Sequence, residues 1–250
     1  MSAHMANDKI YIHELIDIRG HNRSKYMHHM TANWVPVAIK ERNQRCYGVF
    51  GTVGSTGRWP EVVNIWELDG WAGLAANFAH ELDHSSLQDP SLAAWWAIAA
   101  DLRRGGFDRI LVPAPWSRPI DELLAAGVRG DAGYAHEIVS VRPGAADEYL
   151  DALRDEGTTA VGEFGLELVG AFRVAMVNDS ECITLWAIPD WETWAAFEGA
   201  QRDARLAAWR HTLDGLGADW RRTLLVDAPL SPMRIGRQPE ESDRMPLEEV

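Results

Sequence analysis

The chain has 250 residues, 46% of them hydrophobic, which is enough to bury one large core or two smaller ones. Its formal net charge of −13 and pI near 5.1 exclude functions that depend on attraction to nucleic acid phosphates or anionic membrane surfaces. No stretch reaches the roughly 18 apolar residues of a membrane-spanning helix, and the N-terminus lacks the apolar segment of a signal peptide. We therefore expect a cytoplasmic protein.

Hydrophobic patterning in the first half of the chain predicts strands that alternate with helices. The predicted strands are 10–18, 45–53, 61–68 and 110–113, and the predicted helices are 22–34, 71–82 and 89–105. The second and third strands form a hairpin around residues 54–57. Asp89 is placed to cap the last helix, and Pro90 suits its first turn.

The second half of the chain repeats the first. The segment Tyr-x-His-Glu at 11–14 returns at 134–137, an offset of 123 residues, and Tyr26 recurs as Tyr149 at the same offset. The pair Trp66 and Trp71 recurs as Trp186 and Trp191, and Leu-Ala-Ala-Trp at 92–95 recurs at 206–209. Because the order is kept throughout, we interpret the chain as a tandem duplication.

The duplication predicts the domain organisation and the fold class. We expect a first repeat at 9–117, a linker at 118–131, a second repeat at 132–232 and an acidic, disordered tail at 233–250. A βαββαβ repeat has helices on one face of its antiparallel sheet, so the second copy can cover the other face. The predicted fold is α+β, with two tandem ferredoxin-like repeats packed as a pseudo-dimeric α/β barrel, either as a monomer or as a homodimer.

Several short motifs resemble the NIPSNAP family. The strand 62–69 with its Trp/Leu/Ala-rich helix resembles the signature of that family, and Arg142-Pro143-Gly144 resembles its first turn. The segments 113–117 and 228–232 resemble its closing proline motif, whereas the Arg-Gly-His at 19–21 departs from the pattern. The resemblance implies the dimeric α/β-barrel superfamily, which includes cofactor-free monooxygenases, haem enzymes, lyases and proteins without known activity. The fold alone therefore does not define a reaction.

Strand alternation predicts which side chains face the space between the repeats. Tyr11, His13 and Asp17 share one side of the first strand, and Tyr134 and His136 take the same side in the second copy. The same reasoning assigns to this space Asn64, Trp66, Thr184 and Trp186. Aromatic walls with a few polar groups are typical of small-molecule sites, so we predict a pocket here for an apolar or aromatic ligand.

The two histidines are the predicted catalytic groups, since imidazole titrates near neutral pH. Asp17 and Tyr11 are placed to assist His13, whereas Ser140 replaces the aspartate in the second copy, which favours His13 over His136. The alternative is that each histidine only bonds to a neighbouring strand. The predicted substrate-binding residues are Tyr134, Asn64, Trp66, Thr184, Trp186 and Trp59, the last as a lid or a packed turn.

Two further patterns are assigned lower weight. Glu14 and Glu137 lie on the apolar side of their strands, where buried carboxylates paired with Arg or Lys are expected. His80 to His84 spell H-E-x-x-H, the helical zinc-protease signature. The apolar face through Trp71, Leu74, Phe78 and Leu82 predicts that both histidines point to solvent, and the second copy has alanines instead.

Two classes of function therefore remain open. The first is an isomerase, lyase or cofactor-free oxygenase that acts on an apolar or aromatic molecule by His/Tyr acid–base chemistry, with no organic cofactor or metal predicted. The second is a non-catalytic protein for ligand binding or assembly. A haem enzyme with His13 or His136 as axial ligand, and a zinc hydrolase that uses His80 and His84, are less favoured versions of the first class.

Overall fold

The computed structural model of the protein describes residues 6–250, and its eight strands close into an antiparallel barrel in the order β1-β3-β2-β8-β5-β7-β6-β4. The strands are β1 Ile10–Ile18, β2 Arg45–Thr52, β3 Glu61–Leu68, β4 Arg103–Pro113, β5 Gly133–Ser140, β6 Glu167–Ala175, β7 Glu181–Ile188 and β8 Asp219–Asp227. Each half of the ring is one repeat. The halves join where β2 pairs with β8 and where β4 pairs with β6. The predicted α+β class and pseudo-dimeric barrel are confirmed.

Helices cover the outside of the barrel. The first repeat has α1 Arg23–His28, a π-helical turn His29–Trp34, α2 Val35–Arg42, α3 Gly70–Leu82 and α4 Pro90–Leu102. Then follow α5 Ile120–Ala126, α6 Ala146–Ala152, α7 Thr158–Gly162, α8 Trp191–Gly199, α9 Ala207–Gly215 and α10 Pro232–Ile235. Within residues 6–250, no helix combines the length and hydrophobicity that crossing a bilayer requires.

The side chains on both faces of β3 and β7 are buried, one set in the barrel interior and the other under the helices. The barrel interior is filled by a core that includes Tyr47, Phe50 and Phe172, while two further cores form under the helices. β3 is buried over its whole length, so alternation carries no polar signal to tell inside from outside. Val63 and Ile65 face the interior. The predicted placement of Asn64, Trp66, Thr184 and Trp186 between the repeats is therefore wrong, because these side chains lie on the helix side.

The closing proline segments connect the two repeats. At the end of the first repeat, Ala114 N–H donates to the carbonyl of Ala171 at 2.9 Å, and Ala171 N–H donates to Ser117 Oγ at 3.1 Å. The second repeat makes the same contacts, from Ala228 N to Val49 O at 2.8 Å and from Val49 N to Ser231 Oγ at 3.2 Å. Each repeat therefore ends on the edge of a strand that belongs to the other.

The fourth strand is longer than the sequence predicts. Residues 103–106 were expected to end a helix at two glycines, but α4 stops at Leu102 and β4 begins at Arg103. β4 pairs with β1 as far as Ile18, and this long-range pairing outweighs the local helix pattern.

The acidic tail was expected to be disordered, but the structure describes it packed on the first repeat. The side chain of Gln238 accepts from Cys46 N–H at 3.0 Å and donates to the Cys46 carbonyl at 2.8 Å. Met245 N–H donates to His28 Nε2 at 3.2 Å. The physical reason is that β8 pairs with β2 only over residues 50–52, which leaves the Cys46 backbone edge available to the tail.

Candidate functional site

His13 and His136 meet inside the barrel and bond to each other. Their Nε2 atoms are 3.0 Å apart, and the two rings are nearly parallel, at 12°. One nitrogen must donate and the other accept, so a single proton joins the two repeats. Burial lowers the pKa of His13 well below its usual value, and it lowers the pKa of His136 to about 4. The pair is therefore a neutral contact between repeats.

Tyr11 and Asp17, predicted to assist His13, and Tyr134, predicted to bind substrate, have other partners. Tyr11 donates to Glu67 Oε2 at 2.9 Å, and Asp17 accepts from Arg58 at 2.7 Å. Tyr134 donates to Asp227 Oδ2 at 2.8 Å. Buried side chains of the interior core surround the histidine pair, and neither histidine lines the cavities described below for the two repeats.

A cavity of about 440 Å³ lies between the first-repeat sheet and helices α3 and α4. This volume is in the range of small-molecule sites. Its aromatic walls are Trp34, Trp66, Phe78, Trp95 and Trp96, and its polar lining includes Glu14, Arg103 and Asp108. Trp66 thus lines a cavity as predicted, but on the other side of the sheet. Trp59 is 56% exposed and lines neither this cavity nor the equivalent one of the second repeat.

Glu14 is the central polar group of this cavity. It lies on β1, directly opposite Asn64 on β3 and Asp108 on β4. Its Oε2 accepts from Asn64 Nδ2 at 2.8 Å and from Trp66 Nε1 at 3.1 Å. Burial, together with the charge of Asp108, raises the pKa of Glu14 from 4.5 to about 7. A carboxyl group with this pKa both holds and releases a proton near neutral pH.

Tyr26 and Asn64 complete the floor behind Glu14. Asn64 Nδ2 also lies 3.1 Å from the Tyr26 hydroxyl, and burial raises the pKa of this tyrosine. Asn64 Oδ1 is buried and has no hydrogen-bond partner among residues 6–250. The arrangement fixes Glu14 through one oxygen and leaves an unused acceptor next to it.

Arg42 holds the helices around the cavity together. Its guanidinium donates to Asn77 Oδ1 at 2.9 Å and to Glu81 Oε2 at 3.1 Å, and it also pairs with Asp89. It lies over the Trp34 ring, 5.3 Å from the centroid. α2, α3 and α4 are thus tied to one buried cation.

The contacts of Arg42 also argue against a zinc-protease role for the H-E-x-x-H segment. α3 ends at Leu82, so His84 lies beyond the helix, and the Glu81 carboxylate is paired with Arg42 and cannot serve as a free base. Within the described chain, ligand atoms of Glu41, His80 and Asp89 lie within 4.8 Å of one another, but Asp89 is bonded to Arg42 and caps α4.

His80 and His84 are both exposed, as the sequence predicts. The prediction assumed that the opposite, apolar face of α3 is buried, and this assumption is wrong. The apolar face expected for α3 is mostly exposed, since Trp71, Phe78 and Leu82 are 52%, 42% and 51% exposed.

The second repeat has an equivalent cavity of about 240 Å³, but the carboxylate that lines it, Glu137, is paired with an arginine. Glu137 accepts from Thr184 Oγ1 at 2.7 Å and from Trp186 Nε1 at 3.1 Å, as Glu14 does from its neighbours. Arg222 stands opposite Glu137 where Asp108 stands opposite Glu14, and it pairs with Glu137 at 2.7 Å. Arg222 also pairs with Glu198 at 2.7 Å. Of the two glutamates, Glu137 has the expected pairing with arginine, whereas Glu14 forms no ion pair with any of residues 6–250.

Sequence reasoning gave Glu14 low weight and did not select Asp108 or Arg103. One signal for Glu14 was available, because a glutamate interrupts an apolar strand face in both repeats. The two glutamates differ in environment because Asp108 on β4 lies opposite Glu14 and Arg222 on β8 lies opposite Glu137, and both strands are distant in the sequence.

Comparison with known proteins supports the fold and goes no further. No family model matches the chain, and no curated protein matches it. A candidate monooxygenase from Fusobacterium nucleatum matches 88% of this chain and 92% of its own, at 12% identity and a TM-score of 0.57. An anthrone oxidase-like protein matches the same shares at 12% identity and a TM-score of 0.55.

A candidate monooxygenase from Lactobacillus acidophilus matches 89% of this chain and 97% of its own, at 11% identity and a TM-score of 0.54. The chain therefore has the dimeric α/β-barrel fold. The resemblance to the NIPSNAP family rests on its sequence motifs.

Proposed function

We propose that this protein is an enzyme that moves a proton on a planar aromatic small molecule bound in the first-repeat cavity, with Glu14 as the acid–base group. One observation carries the proposal: a carboxyl group whose pKa is about 7 lines a cavity walled by tryptophans. Strongly shifted groups inside a cavity are typical of catalytic acids and bases.

The contacts of Glu14 give its two oxygens different roles. Both donors, Asn64 and Trp66, bond to Oε2, so Oε1 is the atom that exchanges a proton with the ligand. In its ionised form Glu14 takes a proton from an activated C–H or a phenolic O–H of the ligand, which leaves a delocalised anion. Because the donors hold Oε2 in place, the carboxyl group is oriented before the ligand arrives.

The second repeat supports assigning the chemistry to the first. Glu137 shares its geometry with Glu14 but forms an ion pair with Arg222, so its charge is already compensated. Its Oε1, the counterpart of the oxygen that Glu14 leaves open to a ligand, is bonded to Arg222 at 2.9 and 2.7 Å. We therefore assign one catalytic cavity per chain.

Isomerisation, elimination and cofactor-free oxygenation all begin with this proton abstraction, and the proposal covers that common step. The trial substrate is anthrone, which the name of one neighbour of the same fold suggests. Its methylene group lies between aromatic rings, so loss of a proton gives a stabilised anion.

The test is deuterium exchange at the anthrone methylene in heavy water, followed by NMR under anaerobic conditions. We expect the wild-type protein to accelerate exchange, with a rate that rises with pH through about 7 as Glu14 ionises. E14Q is expected to lower the catalysed rate by at least about 100-fold, a typical loss for a general base.

E137Q is the matched control, because it alters the equivalent residue outside the proposed site, and it is expected to keep the wild-type rate. Equal rates for wild type and E14Q would contradict the proposal. Binding of anthrone without acceleration by the wild-type protein would identify a non-catalytic binding protein instead.

A further inference from the structure

Arg103 is the cation of the first-repeat cavity that has no ion pair. Three arginines line this cavity, and two of them are paired, Arg42 with Asp89 and Glu81 and Arg109 with Glu181. Among residues 6–250, Arg103 forms no ion pair, and its buried Nε has no hydrogen-bond partner. Arg103 bonds to the Tyr26 hydroxyl and interacts with the charges of Glu14 and Asp108, but a buried guanidinium N–H without an acceptor, as at Nε, is costly unless a ligand supplies one.

The guanidinium of Arg103 is also held in position. Its Cζ lies 4.7 Å from the centroid of the Trp96 ring, and Trp96 is itself a wall of the cavity. On its other side, a Cβ at Gly106 would come within 3.2 Å of Nη2, which shows how closely the backbone approaches. Stacking on a tryptophan restrains the side chain, while the N–H groups that are not bonded to Tyr26 stay available to an acceptor.

The second repeat has no counterpart of this arrangement. With the offset of 114 that relates β4 to β8, the position of Arg103 corresponds to Gly217. Two arginines line that cavity: Arg222 is bonded to Glu137 and Glu198, and Arg210 donates to the carbonyl of Asp203 at 2.9 Å. Among residues 6–250, an arginine that is stacked on an aromatic wall of its cavity and forms no ion pair is therefore found in the first repeat, in which we place the chemistry.

We propose that Arg103 binds an anionic oxygen group, either a carboxylate or an ionised phenol or enol, on the planar ligand of the first-repeat cavity. This inference rests on the proposed function for the location of the site, and it adds the substrate class. Guanidinium groups bind carboxylates through paired N–H donors, which fixes orientation as well as charge. The ligand then presents its aromatic face to the tryptophans and its oxygen to Arg103.

The test is equilibrium binding of three probes, 2-naphthoate, 2-naphthol and 2-naphthamide, followed by quenching of tryptophan fluorescence. At pH 6 a carboxyl group with the pKa of Glu14, about 7, is mostly protonated and repels the anion little. We expect the wild-type protein to prefer 2-naphthoate over the neutral amide by roughly 10- to 100-fold, the range for one charged hydrogen-bonded contact.

R103M is expected to abolish this preference while amide binding changes by less than about 3-fold. R103K keeps the charge but not the paired donors, so we expect an intermediate preference. R210M is the matched control, because Arg210 lines the second cavity and also has a buried Nη1 without a partner.

Equal binding of naphthoate and naphthamide by the wild-type protein would overturn the inference, as would a preference that survives in R103M or an absence of binding by all three probes. Selective binding of ionised 2-naphthol, followed by its absorbance at higher pH, would identify the anion as one formed during the reaction. The assay requires no turnover, and E14Q is expected to keep the preference. A failure of Glu14 catalysis is therefore distinguishable from a failure of anion binding.

Discussion

Glu14 and Glu137 show how one residue type acquires two roles from its neighbours. Both accept a hydrogen bond from an equivalent tryptophan, Trp66 or Trp186, at 3.1 Å. Glu14 faces an acidic neighbour across the strand, whereas Glu137 faces a basic one. No ion pair among residues 6–250 compensates the charge of Glu14, and burial makes its ionisation cost folding free energy.

Glu14 is expected to make the stability of the protein depend on pH. The folded protein holds this proton up to about pH 7, while the unfolded chain releases it near pH 4.5. Its stabilisation is therefore present below pH 4.5 and is lost as the pH rises through 7, by up to about 3 kcal/mol. E14Q cannot ionise at this position. The difference in unfolding free energy, E14Q minus wild type, is therefore expected to increase by this amount between pH 4.5 and 7.

Urea denaturation of both proteins at the two ends of this range measures the difference. E137Q serves as the comparison, and we expect it to be less stable than the wild type at both ends, because Arg222 loses one of its two partners. If the E14Q and wild-type curves ran parallel with pH, the assignment of the shifted pKa would be wrong.

At the scale of single elements, β-bulges in β2 and β6 allow the barrel to fill its own interior. The register of β2 shifts between Cys46 and Gly48, and that of β6 shifts near Gly170. A Cβ on Gly48 would lie 2.2 Å from the ring of Phe50, and one on Gly170 would lie 2.6 Å from that of Phe172. Each glycine therefore makes room for an aromatic ring two residues further along the same strand.

G48A tests this arrangement. We expect the variant to lose about 1–3 kcal/mol of unfolding free energy, because an added methyl group collides with a ring that is fully enclosed. G105A is the control, since a Cβ at this position in β4 has no neighbour within 4 Å. Thermal and urea unfolding of the two variants give the comparison, and equal effects would contradict the tight packing at Gly48.

The extent to which the sequence predicts these elements depends on how local their causes are. Residues 10–18 were predicted as a strand and form β1, because alternation and the Arg19-Gly20 turn are local signals. The prediction made β4 too short, because Gly105 and Gly106 locally favour a helix end. The pairing that extends the strand to Arg103 comes from β1, which is distant in the sequence. Long-range pairing of this kind leaves no trace in a short window.

For the candidate site, residue types were predictable and their faces were not. Trp66 was selected as a ligand contact and does line a cavity. Its side of the sheet could not be inferred, since all of β3 is buried. Glu14 owes its pKa to burial and to the charge of Asp108, 94 positions further along the chain.

At the scale of the whole molecule, the His13–His136 contact joins the repeats and responds to pH in the direction opposite to Glu14. Burial and the nearby charge of Arg109 disfavour the protonated form of both rings, and Arg221 acts in the same direction on His136. Both histidines therefore stay neutral in the folded protein at a pH where the unfolded chain binds protons.

The expected outcome is a loss of stability in acid. The contribution of the pair is present above pH 6.5 and is lost as the pH falls through the folded-state value, about 4 for His136. For His136 alone this is about 3 kcal/mol. The double variant H13Q/H136Q cannot take up these protons, so we expect its unfolding free energy to fall less between pH 6.5 and 4. A fall as steep as that of the wild type, in denaturant titrations, would count against a neutral pair.

Each closing segment bonds to a strand of the opposite repeat, so the two repeats form one barrel. The two halves of this barrel differ in sequence. In a barrel assembled from two identical chains, every substitution appears twice, once on each side of the symmetry axis. Here a substitution appears once, so one side can acquire Arg222 while the other keeps Asp108. Because the two copies are in one chain, the residues that line one cavity can change while those of the other cavity stay the same.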